Sequence, residues 1–280
     1  MNAIALELSY EFFPPRTDAG RETLAQTRRD LAELNPAFYS VTFGAGGSTR
    51  DKTLETVVDI QQNSDIDACP HITCVGASND EIIELLEIYR SKDIHRLLVL
   101  RGDPPSGMVG MGECRYANQL LELVRSHFGD YFNLIVAAYP ESHPDSKHLI
   151  SEVDYFVQKM NAGADAAITQ YFYNCDSYYH FMDLCTARGI EQPVYPGIMP
   201  ITNFNSLKRF SKQCGAEVPR WIKKSMAAYE DDPKSQRQLG LEIVTRQCEQ
   251  LISNGVPGLH FYTMNQSALT RAILHNLNLD

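Results

Sequence analysis

Tyr10-Glu11-Phe12-Phe13-Pro14-Pro15-Arg16 closes the first apolar run of this 280-residue chain with a carboxylate set among aromatic residues and two prolines. Proline donates no backbone hydrogen bond, so a strand that reaches this point stops. A doubly wound dinucleotide-binding sheet wants a G-x-G-x-x-G turn after its first strand, and that place is taken here by Glu11 and the prolines. Outward from this first run (residues 4–13), β-rich runs recur at 38–43, 69–74, 96–100, 134–139, 166–171, 194–198 and 259–263, which makes eight strand candidates. Amphipathic stretches separate them. In residues 80–89, Ile82, Leu85, Leu86 and Tyr89 share one helical face, and Ser78 with Glu81 forms a capping box ahead of it. Eight strands alternating with helices over about 250 residues predict an α/β fold of the (β/α)8 TIM barrel type, with the active site at the C-terminal ends of the strands. No Pro/Ser-rich linker interrupts the pattern, so residues 1–280 read as one domain.

Composition narrows the function. A hydrophobic content of 44% supports a large core, and the net charge of −10 disfavours nucleic acid as a partner. No apolar run approaches the roughly 20 residues of a membrane-spanning helix, and the N-terminus lacks the marks of a signal peptide, so a soluble cytoplasmic protein is expected. Seven cysteines without a C-x-x-C pair argue for reduced, structural thiols.

Polar residues end nearly every proposed strand: Glu11, Thr42, His71, Arg101 with Asp103, Tyr139 with His143, Gln170, and Gln266 shortly after Thr263. In a barrel they converge. Glu11 next to two phenylalanines would be poorly solvated, which predicts a raised pKa and a role as proton donor. The histidines are scattered without an H-E-x-x-H, which argues against a metal centre, and no G-x-S-x-G elbow marks a hydrolase. The Gly44-Ala45-Gly46-Gly47 loop lacks the Lys-Ser/Thr of a phosphate-binding P-loop.

Eight ordered motifs carry a resemblance: S-Y-E-F-F-P-P-R (9–16), S-V-T-F-G-A-G-G-S (40–48), P-H-I-T-C (70–74), L-R-G-D-P-P (100–105), A-A-Y-P-E-S-H-P (137–144), A-G-A-D-A-A-I-T-Q-Y-F-Y (162–173), P-G-I-M-P-I (196–201) and H-F-Y-T-M-N (260–265). Together they resemble the methylenetetrahydrofolate reductase family in its short bacterial form. The resemblance implies an FAD-containing barrel in which NADH or NADPH reduces 5,10-methylenetetrahydrofolate to 5-methyltetrahydrofolate by a ping-pong cycle, feeding methionine synthesis, in a cytoplasmic homo-oligomer. It implies Glu11 as the general acid toward folate N10 and Asp103 as the carboxylate between flavin and pterin. It assigns Phe43, Ala45, His71, Arg101, Gly102, Asp103, Tyr116, Ala117, Tyr139, His143 and Lys159 to FAD, and Thr42, Gln170, Phe210 and Gln266 to the exchanging substrates. The chain departs from the family pattern at Gln266 and Ser206, near the folate glutamate, and along 152–159, where Tyr155 and Gln158 occupy positions often polar or basic in relatives. Without the resemblance, Glu11 would also suit a lyase or aldolase that works by acid/base chemistry and is colourless.

Overall fold

The structure, a computed structural model, describes residues 6–43, 47–102 and 112–280, with 47–50 by backbone alone. Ala45 and Asp103 therefore lie outside the described residues, as does most of the Gly44–Gly47 loop. The strands are β1 (Glu7–Phe12), β2 (Phe38–Val41), β3 (Asp67–Thr73), β4 (Arg96–Leu100), β5 (Asn133–Ala138), β6 (Ala166–Thr169), β7 (Val194–Tyr195), β8 (Gly197–Ile198) and β9 (Gly258–Tyr262). All pair in parallel, in the order β7-β6-β5-β4-β3-β2-β1-β9-β8. Because β7 and β8 are separated by Pro196 alone, the two ends of that order meet and the ring closes, giving the expected (β/α)8 barrel.

The seventh expected strand, 194–198, is thus two short ones. Pro196 has no N–H to continue the ladder with β6. Its carbonyl instead accepts from His260 N–H (3.1 Å), and Gly197 N–H turns to the Thr169 hydroxyl (2.9 Å). A side chain at 197 would run into the Thr169 carbonyl oxygen, and that oxygen is taken by the Tyr262 hydroxyl (2.7 Å). The chain therefore leaves β6 at the proline and joins β9 one residue later. The other boundaries hold to within a few residues: β1 stops at Phe12, β2 at Val41, and β3 begins at Asp67.

Alternation along the strands makes two cores. Phe38, Cys69, Leu98, Ile135, Ile168 and Tyr195 fill the barrel interior, and the Tyr195 hydroxyl donates to Glu7 across its floor (2.9 Å). Leu8, Tyr10, Phe12, Tyr39 and Val41 point the other way, into the layer between sheet and helices. The helix after β3, α3 (Asn79–Ser91), opens with the expected Ser78/Glu81 capping box and buries Ile82, Leu85, Leu86 and Tyr89. The other elements needed below are α4 (Ala117–Phe128), α5 (Leu149–Asn161), α6 (Cys175–Thr186), α7 (Phe204–Cys214) and α8 (Arg220–Ala227). All seven cysteines are free, and among the described residues no helix is long and apolar enough to cross a membrane.

Candidate active site

Inward alternation on β1 presents Ser9 and then Glu11 to the barrel axis, with Glu11 at the mouth. Parallel pairing with β9 sets Ser9 beside His260 and Glu11 beside Tyr262. Two imidazoles face the carboxylate: His71 Nε2 lies 3.4 Å from Glu11 Oε2 and His260 Nε2 lies 3.9 Å from it. His260 Nδ1 is 2.8 Å from the Ser9 hydroxyl. A carboxylate only accepts, so the proton of neutral His260 belongs on Nε2, which leaves Nδ1 to accept from Ser9. Burial pushes the pKa of His260 down and keeps it neutral.

The expectation that aromatic neighbours raise the pKa of Glu11 is corrected by this geometry. Phe12 is one residue on and therefore points out of the barrel, edge-on to Tyr39 at 5.2 Å. Phe13 is 41% exposed, and the Asn265 amide holds its backbone at both N–H and C=O (3.0 and 2.9 Å). Burial does push the Glu11 carboxyl up, but His260 and His71 outweigh it and bring the pKa down to about 2. The two imidazoles thus hold Glu11 as a carboxylate.

A second cluster surrounds a cavity of about 630 Å³ above the ends of β4 and β5. Arg101, Gly102, Tyr116, Ala117, Tyr139, His143 and Lys159, all expected cofactor residues, line it, whereas His71 belongs with Glu11. Lys159 Nζ donates to the Ala137 carbonyl (2.5 Å) and sits 5.8 Å from the Tyr139 ring centre and 5.7 Å from that of Phe156. Desolvation pulls its pKa down to about 8 against the opposing charge of Glu152. Arg101 is aimed by Asp145 (3.0 Å), whose own N–H is held by His143 Nδ1 (3.0 Å). Glu152 accepts from Ser146 and from the His143 N–H, which fixes this loop to α5. Gly102 adopts φ +83°, and a Cβ there would meet the Thr73 side chain at 2.8 Å. A cavity lined by Arg101 and Lys159, the latter poorly solvated and hydrogen-bonded to a carbonyl, with the His143 imidazole beside them, fits a pyrophosphate-bearing cofactor.

The rim completes the mouth. Phe210, on α7, is 40% exposed. Its neighbour Ser211 shares a hydrogen bond with the Tyr171 hydroxyl (3.0 Å), which also receives the Cys214 thiol (3.4 Å). Gln170 follows β6 with its amide oxygen turned back on the Tyr171 N–H (3.0 Å). Thr42 closes β2 and accepts from Thr53 through its carbonyl (3.0 Å), Phe43 is half-buried against the outer core, and Gln266 is exposed after β9. Sequence reading missed His260, Ser9 and Asn265. The available signal was alternation within H-F-Y-T-M-N, which places His260 and Tyr262 on one face.

The sequence profile described as "Methylenetetrahydrofolate reductase" matches residues 2–278. The chain is 37% identical to 5,10-methylenetetrahydrofolate reductase of Pectobacterium carotovorum subsp. carotovorum over 274 residues, covering 98% of this chain and 91% of that one. It is 36% identical to the Escherichia coli (strain K12) protein of the same name with the same coverage. With Methylenetetrahydrofolate reductase (NADH) 1 of Arabidopsis thaliana it shares 36% over 284 residues, 97% of this chain and 48% of that longer one. Among solved structures, an uncharacterized Clostridium thermocellum protein that binds two copies of 5-methyl-5,6,7,8-tetrahydrofolic acid superposes with TM-score 0.65 at 17% identity, covering 98% of this chain and 94% of that one. Dihydropteroate synthase from Xanthomonas albilineans gives 0.56 at 11%, covering 100% and 94%. At such identities the structural likeness establishes the barrel alone.

Proposed function

We propose that this chain, which belongs to the methylenetetrahydrofolate reductase family, uses NADH or NADPH and a bound FAD to reduce 5,10-methylenetetrahydrofolate to 5-methyltetrahydrofolate. The observation that carries the reading is Glu11 at the end of β1, between His71 and His260, beside a cation-lined cavity over β4 and β5. FAD, when bound, would supply the acceptor and donor of hydride between the two substrates. Arg101, His143 and Lys159 would hold its phosphates, and Gly102 lets the backbone approach closely.

The closed folate ring accepts hydride poorly, so Glu11 would deliver a proton from Oε2 to folate N10 and open the ring. Burial is the largest single influence on Glu11, and it pushes the pKa up. A pterin seated at the mouth excludes water, adds to that influence and raises the pKa of Glu11, so that it binds a proton before donating it. His260, oriented by Ser9, would hold the carboxylate in place between turnovers. Gln170 and Phe210 stand on the rim where folate and nicotinamide would alternate, with Thr42 toward the nicotinamide and Gln266 toward the folate glutamate. Asp103 would lie between flavin and pterin. The NADH in the names of the plant relatives supports the nicotinamide substrate. The same reading makes the protein a cytoplasmic homo-oligomer supplying methyl groups for methionine synthesis.

Anaerobic NADH should bleach the visible absorption of the purified protein, and 5,10-methylenetetrahydrofolate should restore it. A protein that stays colourless after reconstitution with FAD overturns the reading.

A further inference from the structure

We propose that Tyr155 is the stacking platform for the adenine ring at the adenosine diphosphate end of the cofactor, an inference that rests on the proposed use of FAD. Tyr116 and Tyr155 line the same cavity and leave 59% and 55% of their surface exposed. They approach it from different elements. Tyr116 precedes α4, and Tyr155 lies on the adjacent α5. Among the described residues neither ring packs on another aromatic ring, and more than half of each residue is open to a ligand.

Tyr155 and Lys159 stand four residues apart on α5 and share a face of the helix. Their axial separation is about 6 Å at 1.5 Å per residue, the scale of one ribose. A nucleotide whose phosphate meets Lys159, Arg101 and His143 would therefore place its base over Tyr155. Gln158, also on the cavity wall, offers an amide that can pair with the donor and acceptor on the adenine edge. A mononucleotide flavin lacks that base and would leave Tyr155 uncovered. The subsite would thus select FAD over FMN through this chain's own aromatic residue.

The test strips the protein of flavin and titrates wild type, Tyr155→Ala and Tyr155→Phe with FAD, FMN and ADP by calorimetry. Tyr155 is exposed, so the substitutions should leave the fold intact. Tyr155→Ala should weaken FAD and ADP about 10-fold, the scale of one base–aromatic stack, and leave FMN unchanged, while Tyr155→Phe keeps wild-type affinity. Equal loss of FAD and FMN, or unchanged FAD and ADP affinity in Tyr155→Ala, overturns the subsite. Wild type that holds FAD regardless of Tyr155 sinks the subsite and keeps the flavin reading. Wild type that binds ADP through Tyr155 but neither flavin does the reverse, and binding of none of the three overturns both.

Discussion

At the residue scale, the proposed reaction asks Glu11 to be two things in turn. The imidazoles of His71 and His260 keep it a carboxylate; the proposed folate step needs it protonated. The demand arises in only one half of the cycle. Glu11→Gln should therefore leave hydride transfer from NADH to the flavin nearly intact and slow reduction of methylenetetrahydrofolate by roughly 10²–10⁴-fold. Anaerobic stopped-flow measurement of each half-reaction separates the two, and equal losses in both would remove the proton from Glu11's role. Lys159 carries a different tension. Its folded pKa of about 8 lies below the ordinary 10.5, so the ligand-free fold disfavours its charge. That cost is present in full at pH 7 and fades as pH rises from about 8 toward 10.5. Lys159→Met should accordingly raise the melting temperature of the flavin-free protein at pH 7 while weakening FAD binding, and a lower melting temperature would count against buried charge as the cause. Glu11, Arg101 and His143 were legible because they lie within the ordered motifs, whereas Lys159 stands outside them and was indicated by the family resemblance alone. The low pKa of Glu11 was not legible, because it depends on β1 pairing with β9 and bringing in a histidine far along the chain.

At the element scale, position was easier to read than continuity. Ser78 and Glu81 announce α3 because a capping box is local, and the structure closes it as the sequence implies. Val194-Tyr195-Pro196-Gly197-Ile198 reads as one apolar strand, yet the missing N–H of Pro196 ends one ladder, and β9 offers the next. That outcome depends on where Thr169 and Tyr262 sit in space. Helix α7 raises the same issue, since its sequence shows an amphipathic helix but not what fixes it to the mouth. The Tyr171 hydroxyl does so, through Ser211 and the Cys214 thiol. Tyr171→Phe leaves the buried Ser211 hydroxyl without that partner, and should destabilise the protein by about 1–3 kcal/mol. The loss should also loosen the helix that bears Phe210, and raise KM for folate more than it lowers kcat. Urea unfolding and steady-state kinetics check both, and an unchanged urea midpoint would show that packing alone holds α7.

At the scale of the whole molecule, the eight-run count was enough to predict the ring, because strand and helix periodicity repeat in every unit. The electrostatics of the folded state were hidden, since they come from loops that meet only after closure. Glu141 is the clearest case: it follows β5, yet its carboxylate accepts the backbone N–H of Glu217, between α7 and α8 (2.7 Å). Burial raises its pKa to about 7, the Glu217 N–H opposes that, and the Glu217 charge adds to it. The sign for stability follows from comparing the two states. Between about 4.5 and 7 the folded protein binds a proton at Glu141 that the unfolded chain has released, so this group's contribution declines as pH rises through that window. Glu11 behaves oppositely. Its folded pKa of about 2 lies below the unfolded 4.5, so its contribution is present above 4.5 and is lost as pH falls from there toward 2. On these two groups the protein should therefore be most stable near pH 4.5, with Glu11 limiting it below that pH and Glu141 above it. Glu141→Gln keeps an oxygen for the Glu217 N–H and removes the titration. It should raise the melting temperature at pH 8 and change it little at pH 4.5, and thermal melts of both proteins across that range decide the matter. A variant that gains nothing at pH 8 would mean that Glu141 bears its charge without cost to the fold.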